Sequence, residues 1–228
     1  MDAAPSRARG LLAGFANSAD VGGLALPHGQ RVPFGRIIRA NTPEHVTDDD
    51  LAAATAHGFT GVFDLRSDDE VRVCPHPLAK HPGYRWLPLI DPAAEAREDF
   101  SRFRTIGEIY ASSLQRNADH IAAIFTALAE MPPGPVLVSC RAGRDRTGMV
   151  VALLLDLAGA DHEVIAADYA LLPPPLRPDA EDPGRRGDQD IRRMLDHVSA
   201  TYASTAGYLR WLGLADDDIA ALRQRLEP

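Results

Sequence analysis

The chain has 228 residues, 45% of them hydrophobic and 25% charged, a composition typical of a globular protein with a sizeable core. Its formal net charge of -8 argues against a general nucleic-acid binder, because such a protein needs lysines and arginines clustered over a broad face. No linker or abrupt change of composition divides the chain, so we expect a single domain over residues 1–228, with a helical C-terminal segment at about 189–228.

The N-terminal region carries turn signals followed by one clear helix. Glycines and prolines interrupt residues 11–40, which predicts loops and a small hairpin ending in Arg36-Ile37-Ile38-Arg39. Thr47 then precedes three aspartates and an alanine-rich run that stops at Gly58. An N-cap, an acidic first turn and a terminal glycine together predict a helix near 48–57.

Two short runs in the next region predict strands, and one longer run predicts a helix. Thr60–Leu65 and Tyr84–Leu87 are short and contain the β-branched or aromatic residues that strands favour. Within Leu114–Met131, apolar residues recur three and four positions apart. That spacing predicts an amphipathic helix, which the two prolines after it would stop.

The most strand-like run, Pro135–Ser139, is separated by only seven residues from the most helix-like run, Thr147–Leu157. Further helices are predicted near 161–172, 189–202 and 215–226, with the proline-rich stretch Pro173–Pro183 between the first two. Alternating strands and helices predict an α/β fold, with a central, mostly parallel sheet flanked by helices in three layers.

The junction between that strand and helix holds the motif with the clearest chemical meaning, Cys140-Arg141-Ala142-Gly143-Arg144-Asp145-Arg146-Thr147-Gly148. Backbone amides at the start of a helix converge on anions, and the helix dipole adds positive potential. Gly143 permits the sharp curvature that such a loop requires. Cys140 opens the loop and Arg146 closes it six positions later, so we expect the thiol and the guanidinium to share one phosphate.

The residue types in this loop suit phosphoryl transfer. A cysteine attacks phosphorus as the thiolate, a form that a helix N-terminus and a nearby arginine favour. The planar Arg146 guanidinium can grip two phosphate oxygens, which a lysine does less well. The Thr147 hydroxyl is expected to donate to the sulfur and to stabilise it when it departs from phosphorus.

This loop resembles the signature of the protein-tyrosine and dual-specificity phosphatase superfamily, in which five residues separate a cysteine from an arginine. The form Cys-x-Ala-Gly-x-Asp-Arg-Thr-Gly is similar, more narrowly, to the bacterial tyrosine and phosphoinositide phosphatase branch. Further similarity lies in Asn17–Gly23, in Asp64-Leu65-Arg66 with Glu70 and, more loosely, between Tyr202 and Arg223. The resemblance implies a phosphatase-like three-layer domain that hydrolyses phosphomonoesters through a phosphocysteine intermediate.

Two positions depart from the family pattern. Ser139 stands where the family has a histidine that positions and acidifies the cysteine, and Ser18-Ala19 replaces a Phe-Arg pair. One alternative is therefore a catalytically weak or inactive phosphate-binding pseudophosphatase. A second alternative is a cysteine-dependent sulfurtransferase or arsenate reductase, because those enzymes also use a cysteine loop that cradles an anion.

Dephosphorylation also needs an acid that protonates the departing oxygen and later activates water. Asp145 is one candidate, because the resemblance implies an acid inside the loop in this branch. Asp91 is the other, because it follows a predicted strand, where the wider superfamily carries its acid. Asp64 comes third, since its place in Asp64-Leu65-Arg66 favours structural hydrogen bonding.

The other expected contacts to the substrate phosphate lie within or just after the loop, at Arg141, Ala142, Gly143, Arg144 and Thr147. Positive charge at Arg141 and Arg144, where lipid phosphatases also carry it, permits phosphoinositides beside phosphotyrosine and phosphoserine or phosphothreonine. The expected partner is therefore a phosphorylated protein or a phosphoinositide.

Two cysteines, Cys74 and Cys140, are too few for a disulfide framework or a metal cluster, and Cys74 has no catalytic context. The eight histidines show no metal-ligand spacing, so we expect no metal and no cofactor. No segment approaches the roughly 20 apolar residues of a membrane span, and the N-terminus is too polar for a signal peptide. These features favour a soluble, cytoplasmic protein without stable membrane insertion.

Overall fold

A five-stranded sheet lies at the centre of the computed structural model, which describes residues 10–172 and 187–228. The strands are β1 Ala19–Asp20, β2 Ile37–Asn41, β3 Gly61–Asp64, β4 Tyr84–Trp86 and β5 Val136–Cys140. They lie side by side in the order β1-β2-β5-β3-β4, with β1 antiparallel to β2 and every other pair parallel. The carboxyl ends of β2, β3, β4 and β5 therefore meet at one edge of the sheet.

The α-helices among the described residues are α1 Asp48–Ala56, α2 Asp68–Val73, α3 Pro92–Glu95, α4 Ile106–Arg116, α5 Ala118–Ala129, α6 Asp145–Leu157, α7 His162–Ala170, α8 Gly187–Tyr202, α9 Thr205–Trp211 and α10 Asp216–Gln224. Short 3₁₀ helices occupy Pro27–Gly29 and Phe100–Arg102. None of these helices is long and apolar enough to cross a membrane.

Both faces of β5 are covered, because its side chains alternate between two apolar layers. Val136, Val138 and Cys140 pack in the larger cluster, which also contains apolar residues of α4 to α10. Leu137 packs in the smaller cluster on the other face, with Phe15 and with Ala54 of α1. This confirms the predicted three-layer arrangement of helices on both sides of a mostly parallel sheet.

Most predicted elements agree with the structure to within three residues. The helix predicted over Leu114–Met131 is present as α5, but its predicted start is wrong, because α5 begins at Ala118. Leu114 belongs to α4, and Asn117, whose φ of -111° and ψ of 29° are not helical, separates α4 from α5. The Asn117 amide donates to Ser113 Oγ and accepts from the backbone of Asp91, contacts that the apolar spacing does not reveal. Sequence analysis also missed α2, α3, most of α4 and α9. The stretch Pro173–Pro183 lies outside the described residues.

Candidate active site

Cys140 is the last residue of β5 and lies at the carboxyl edge of the sheet, with 2% of its surface exposed. The Thr42 amide donates to the Cys140 carbonyl over 2.8 Å, which ties the end of β5 to the chain that leaves β2. Residues 141–144 then form a tight loop, and α6 starts at Asp145. The predicted strand, loop and helix therefore follow one another at the central strand of the sheet.

Gly143 allows this loop to pack directly against β2. Its φ is +65°, and a Cβ atom there would lie 2.4 Å from the carbonyl carbon of Ala40 and from the amide nitrogen of Asn41. Any other residue would suffer both a left-handed backbone and a clash with the neighbouring strand. A glycine is therefore required at position 143 both for the curvature of the loop and for its close approach to β2.

Asn17 braces the loop from the N-terminal segment. Its side-chain amide donates to the carbonyls of Ala142 and Gly143 over 2.9 and 3.4 Å, and its backbone amide donates to Asn41 Oδ1 over 3.1 Å. In a trans peptide unit the C=O and N–H groups point in opposite directions. The amides of Gly143 and Arg144 therefore point away from Asn17, as a cradle for an anion requires.

Arg146 is held in place by a carboxylate from α2. Its two terminal nitrogens donate to the two oxygens of Glu70 over 2.5 and 2.8 Å, and each side chain is about one-fifth exposed. Glu70 is itself fixed, because it forms a capping box with Ser67 at the start of α2. A bidentate pair of this kind sets both the position and the plane of the guanidinium.

The charges of this pair are stable. Burial alone would raise the pKa of Glu70, but hydrogen bonds and charge from Arg146, with bonds from Ser67, lower it to about 2. Burial alone would lower the pKa of Arg146, but Glu70 and the nearby Cys140 and Asp145 groups raise it above its usual value. Both groups are therefore ionised across the pH range in which a phosphatase would act.

Asp145 occupies the first position of α6, and two buried tyrosines reach it. The hydroxyl of Tyr110, from α4, donates to Asp145 Oδ1, and that of Tyr169, from α7, lies 3.4 Å from the same oxygen. The Asp145 side chain is 39% exposed. A carboxylate next to Arg146 is thus anchored on its protein side while part of its surface faces solvent.

The other two aspartates considered as acids have structural hydrogen bonds. Asp91 caps α3, because its Oδ1 accepts from the Ala93 amide over 2.8 Å. Asp64 is fully buried and accepts from Arg66 over 2.9 and 2.7 Å and from the Tyr84 hydroxyl over 3.1 Å. Asp64 therefore has the hydrogen-bonding role that its neighbourhood in the sequence favours.

Arg144 and Arg141 differ sharply in position. The Arg144 side chain is 7% exposed, lies over the ring of Tyr169 at 5.3 Å, and donates to the Leu172 carbonyl over 3.3 Å. These contacts direct its guanidinium into the protein, and the expected contact of Arg144 with phosphate stays a prediction. Arg141 is 57% exposed, 3.9 Å from Glu44, and lines a cavity of about 260 Å³ together with Thr42 and Cys74.

Thr147 is fully buried, and its hydroxyl has no hydrogen-bond partner among the described residues. The expected bond to the Cys140 sulfur is not formed in this structure. A buried hydroxyl without a partner is unusual in proteins. Its donation to the departing sulfur stays a prediction for the reacting state.

The comparisons with known proteins agree with this geometry. The profile of the tyrosine phosphatase family matches residues 11–227. The chain is 32% identical to the triple specificity protein phosphatase PtpB of Mycobacterium tuberculosis over 229 aligned residues. This alignment covers 85% of the present chain and 81% of that protein. This chain belongs to the tyrosine phosphatase family.

Other relatives carry similar names. A tyrosine-protein phosphatase of Nostoc commune is 27% identical over 222 residues, which cover 86% of the present chain and 75% of that protein. A putative tyrosine-protein phosphatase of Cupriavidus necator is 29% identical over 164 residues, which cover 68% and 59% of the two chains. Family membership and these relatives support phosphatase activity, and hence a phosphorylated substrate.

The phosphatase has a histidine close to Ser139, although not at the usual position. His76 accepts from the Leu78 amide at Nδ1 and therefore donates from Nε2 to Ser139 Oγ over 3.1 Å. Ser139 in turn donates to the Phe63 carbonyl. Since Ser139 points to the opposite face of β5 from Cys140, this pair supports the strand and does not contact the thiol.

Several residues that shape the site of the phosphatase have weak or no local signals. Asn17 and Glu70 lie in segments that resemble the family, but no signal in the sequence indicated a role for them in bracing the loop. No sequence signal indicated a role for Tyr110 or Tyr169. Asn17 is 125 residues from the carbonyl it binds, so only the folded chain reveals the contact. Among residues 10–172 and 187–228, no group of three or more histidine, cysteine, aspartate or glutamate side chains is arranged to hold a metal ion.

Proposed function

We propose that the chain hydrolyses phosphomonoesters, with phosphotyrosine as the principal substrate, through a phosphocysteine intermediate on Cys140. One observation carries the proposal: Asn17 holds two carbonyls of the loop that follows Cys140, so that the next two amides point away from it, while Glu70 fixes Arg146 at the same edge of the sheet. Nucleophile, anion cradle and charge clamp are thus supplied by one short segment. Membership in the tyrosine phosphatase family supports the same reaction.

In the first step, the Cys140 thiolate attacks phosphorus and the bond from phosphorus to the ester oxygen breaks. Glu70 occupies one side of the Arg146 guanidinium, which leaves its Nε–H and further N–H groups for the phosphate oxygens. These donors and the loop amides stabilise the negative charge of the transition state. The departing oxygen takes a proton from a carboxylic acid.

We assign that acid to Asp145, with Asp91 as the alternative. Asp145 is adjacent to Arg146, partly exposed and anchored by two phenols, whereas the Asp91 carboxylate caps a helix. In the second step, Asp145 removes a proton from water, whose oxygen attacks phosphorus. The sulfur–phosphorus bond breaks, phosphate leaves, and the Thr147 hydroxyl stabilises the restored thiolate.

The exposed Arg141 supports a wider substrate range. Its guanidinium is exposed and is paired only loosely with Glu44, at 3.9 Å. A second anionic group on the substrate, as in a phosphoinositide, would find a cation there. The name of the Mycobacterium tuberculosis relative, a triple specificity phosphatase, is consistent with such breadth.

The test is hydrolysis of an aryl phosphate and of a phosphotyrosine peptide by wild type, Cys140→Ser and Arg146→Lys. We expect Cys140→Ser to reduce turnover to background and Arg146→Lys to reduce kcat/KM by about 10- to 100-fold, because the bidentate grip is lost. Equal activity of Cys140→Ser and wild type would contradict the proposal, as would phosphate binding by wild type without any hydrolysis.

A further inference from the structure

We infer that Tyr110 and Tyr169 are positioning residues that hold the Asp145 carboxylate for proton transfer, an inference that rests on the proposed function. The two tyrosines come from different helices, α4 and α7, and are 5% and 2% exposed. Their hydroxyls converge on one oxygen of the carboxylate that we assign as the acid. Neither residue belongs to the loop or to any motif in the sequence.

The three oxygens form a short chain. The Tyr110 hydroxyl donates to Asp145 Oδ1, and the Tyr169 hydroxyl lies 2.8 Å from that of Tyr110. Because the Tyr110 hydroxyl donates to Oδ1, a proton that Asp145 carries is directed to Oδ2. The tyrosines therefore determine which carboxyl oxygen carries the proton as well as where the carboxyl group lies.

The phenols are held firmly. A Cβ atom at Gly148 would lie 2.4 Å from Cε2 of Tyr169, so this glycine makes room for the ring against α6. The Arg144 guanidinium covers the same ring. Burial and the neighbouring Tyr169 and Asp145 raise the pKa of Tyr110 well above its usual value, so its hydroxyl remains a donor at every pH of interest.

A buried tyrosine hydroxyl normally finds some partner, so burial alone does not imply function. Tyr208 illustrates the structural case, because it is fully buried and donates to the Leu114 backbone carbonyl over 2.7 Å. Tyr110 and Tyr169 instead meet a partly exposed carboxylate beside Arg146. This difference in hydrogen-bond partner points to a role of Tyr110 and Tyr169 in the reaction. Tyr208 supplies a matched control.

The experiment compares a poor leaving group, phenyl phosphate, with a good one, dinitrophenyl phosphate, which departs without a proton. In Tyr110→Phe and Tyr169→Phe, we expect kcat/KM for phenyl phosphate to fall roughly tenfold for each phenol removed, the effect of losing one hydrogen bond to a charged group. The value of kcat/KM for dinitrophenyl phosphate, which reports only the steps up to departure of the alcohol, should change less than twofold, about the scale of a neutral substitution.

Double mutants make the test specific. Asp145→Asn should show the same selective loss on phenyl phosphate, and adding Tyr110→Phe to it should cause no further loss. The control Tyr208→Phe also removes one buried hydroxyl, and we expect it to lower stability while leaving the leaving-group dependence unchanged.

The outcomes separate the inference from the function on which it rests. If wild type hydrolyses neither ester, the proposed function fails and the inference fails with it. If wild type and Cys140→Ser behave as proposed, hydrolysis through Cys140 stands and the inference is overturned in two cases. One is an equal loss on both esters in Tyr110→Phe, and the other is an Asp145→Asn variant with normal leaving-group dependence.

Discussion

At the scale of single residues, Glu70 fixes the Arg146 guanidinium that we propose binds the substrate phosphate, although it lies 76 positions away in the sequence. Replacement by glutamine keeps the size of the side chain but removes its charge. We expect Glu70→Gln to lower kcat/KM for aryl phosphates by about 10- to 100-fold, because a charge-assisted bidentate pair is lost. Steady-state kinetics will check this, with Asp216→Asn as a control that breaks a surface pair with Arg210.

The loss in Glu70→Gln should not depend on pH across the assay range. The pKa of Glu70 is lowered to about 2, so its contribution to stability is complete above its unfolded value near 4.5 and disappears as pH falls through about 2. The ratio of variant to wild-type kcat/KM should therefore be constant from about pH 5 to pH 8. A ratio that rises steeply in this range would show that Glu70 titrates during catalysis.

The sequence points to the residues that we propose take part in the reaction more clearly than to those that we propose position them. Cys140, Arg146 and Thr147 lie within eight residues, so their spacing alone predicts a shared site. Tyr110 and Tyr169 approach Asp145 from separate helices, and nothing in their local sequence distinguishes them from core tyrosines. Arg144 shows the converse, because its position in the loop predicted a phosphate contact but its side chain packs into the core.

At the scale of elements, the loop after β5 depends on contact between Gly143 and β2. We expect Gly143→Ala to lower the free energy of unfolding by roughly 1–3 kcal/mol and kcat/KM by more than tenfold, because the clash with Ala40 and Asn41 displaces the loop. Gly58→Ala is the control, since its φ of +66° is nearly the same and no atom lies within 4 Å of the added Cβ. Equal loss of activity in both variants would contradict this account.

The support of β5 by His76 makes stability depend on pH. Burial lowers the pKa of His76 to about 4, with Asp64 opposing the shift and Arg66 adding to it. Between pH 6.5 and about 4 the unfolded chain binds a proton that the folded chain does not, so we expect the free energy of unfolding to decrease as the pH is lowered. At about pH 5, the decrease that this group contributes is roughly 2 kcal/mol.

Urea unfolding of wild type and His76→Asn, at neutral pH and at about pH 5, will measure this contribution. The asparagine keeps an acceptor for the Leu78 amide but does not titrate. We expect the variant to be less stable at neutral pH and to lose less stability on acidification than wild type. Equal pH dependence in the two proteins would exclude His76 as the source.

The strands and most helices were predictable because hydrophobic spacing, N-caps and prolines act locally. Thr47, for example, caps α1 in the capping box that its aspartates permit. The break at Asn117 was not predictable, because its side chain binds Ser113 and the distant backbone of Asp91 instead of continuing the helix. Local patterns fail where a polar side chain has a tertiary partner.

At the scale of the whole molecule, we propose that the sheet and the C-terminal helices form one cooperative domain. The larger apolar cluster joins Val138 of β5 to Leu195 of α8 and Leu222 of α10. Trp86 lies in β4 at the far edge of the sheet, and Trp211 ends α9. The two tryptophans therefore report separately on the sheet and on the C-terminal helices.

We expect Trp86→Phe and Trp211→Phe, each of which leaves one tryptophan, to give urea transitions that coincide with far-ultraviolet circular dichroism. A single core requires that both regions unfold together. Two separated transitions, with Trp211 reporting a midpoint different from that of Trp86, would instead indicate an independent C-terminal unit.

The attachment of phosphate to Cys140 is the most direct test of the proposed mechanism. Wild type is mixed rapidly with an aryl phosphate, quenched with acid within one turnover, and digested for mass spectrometry. We expect one phosphoryl group on the Cys140 peptide of wild type and none on that of Cys140→Ser. Hydrolysis by wild type with the phosphoryl group on another residue, or turnover by Cys140→Ser at the wild-type rate, would contradict the assignment of Cys140 as the nucleophile.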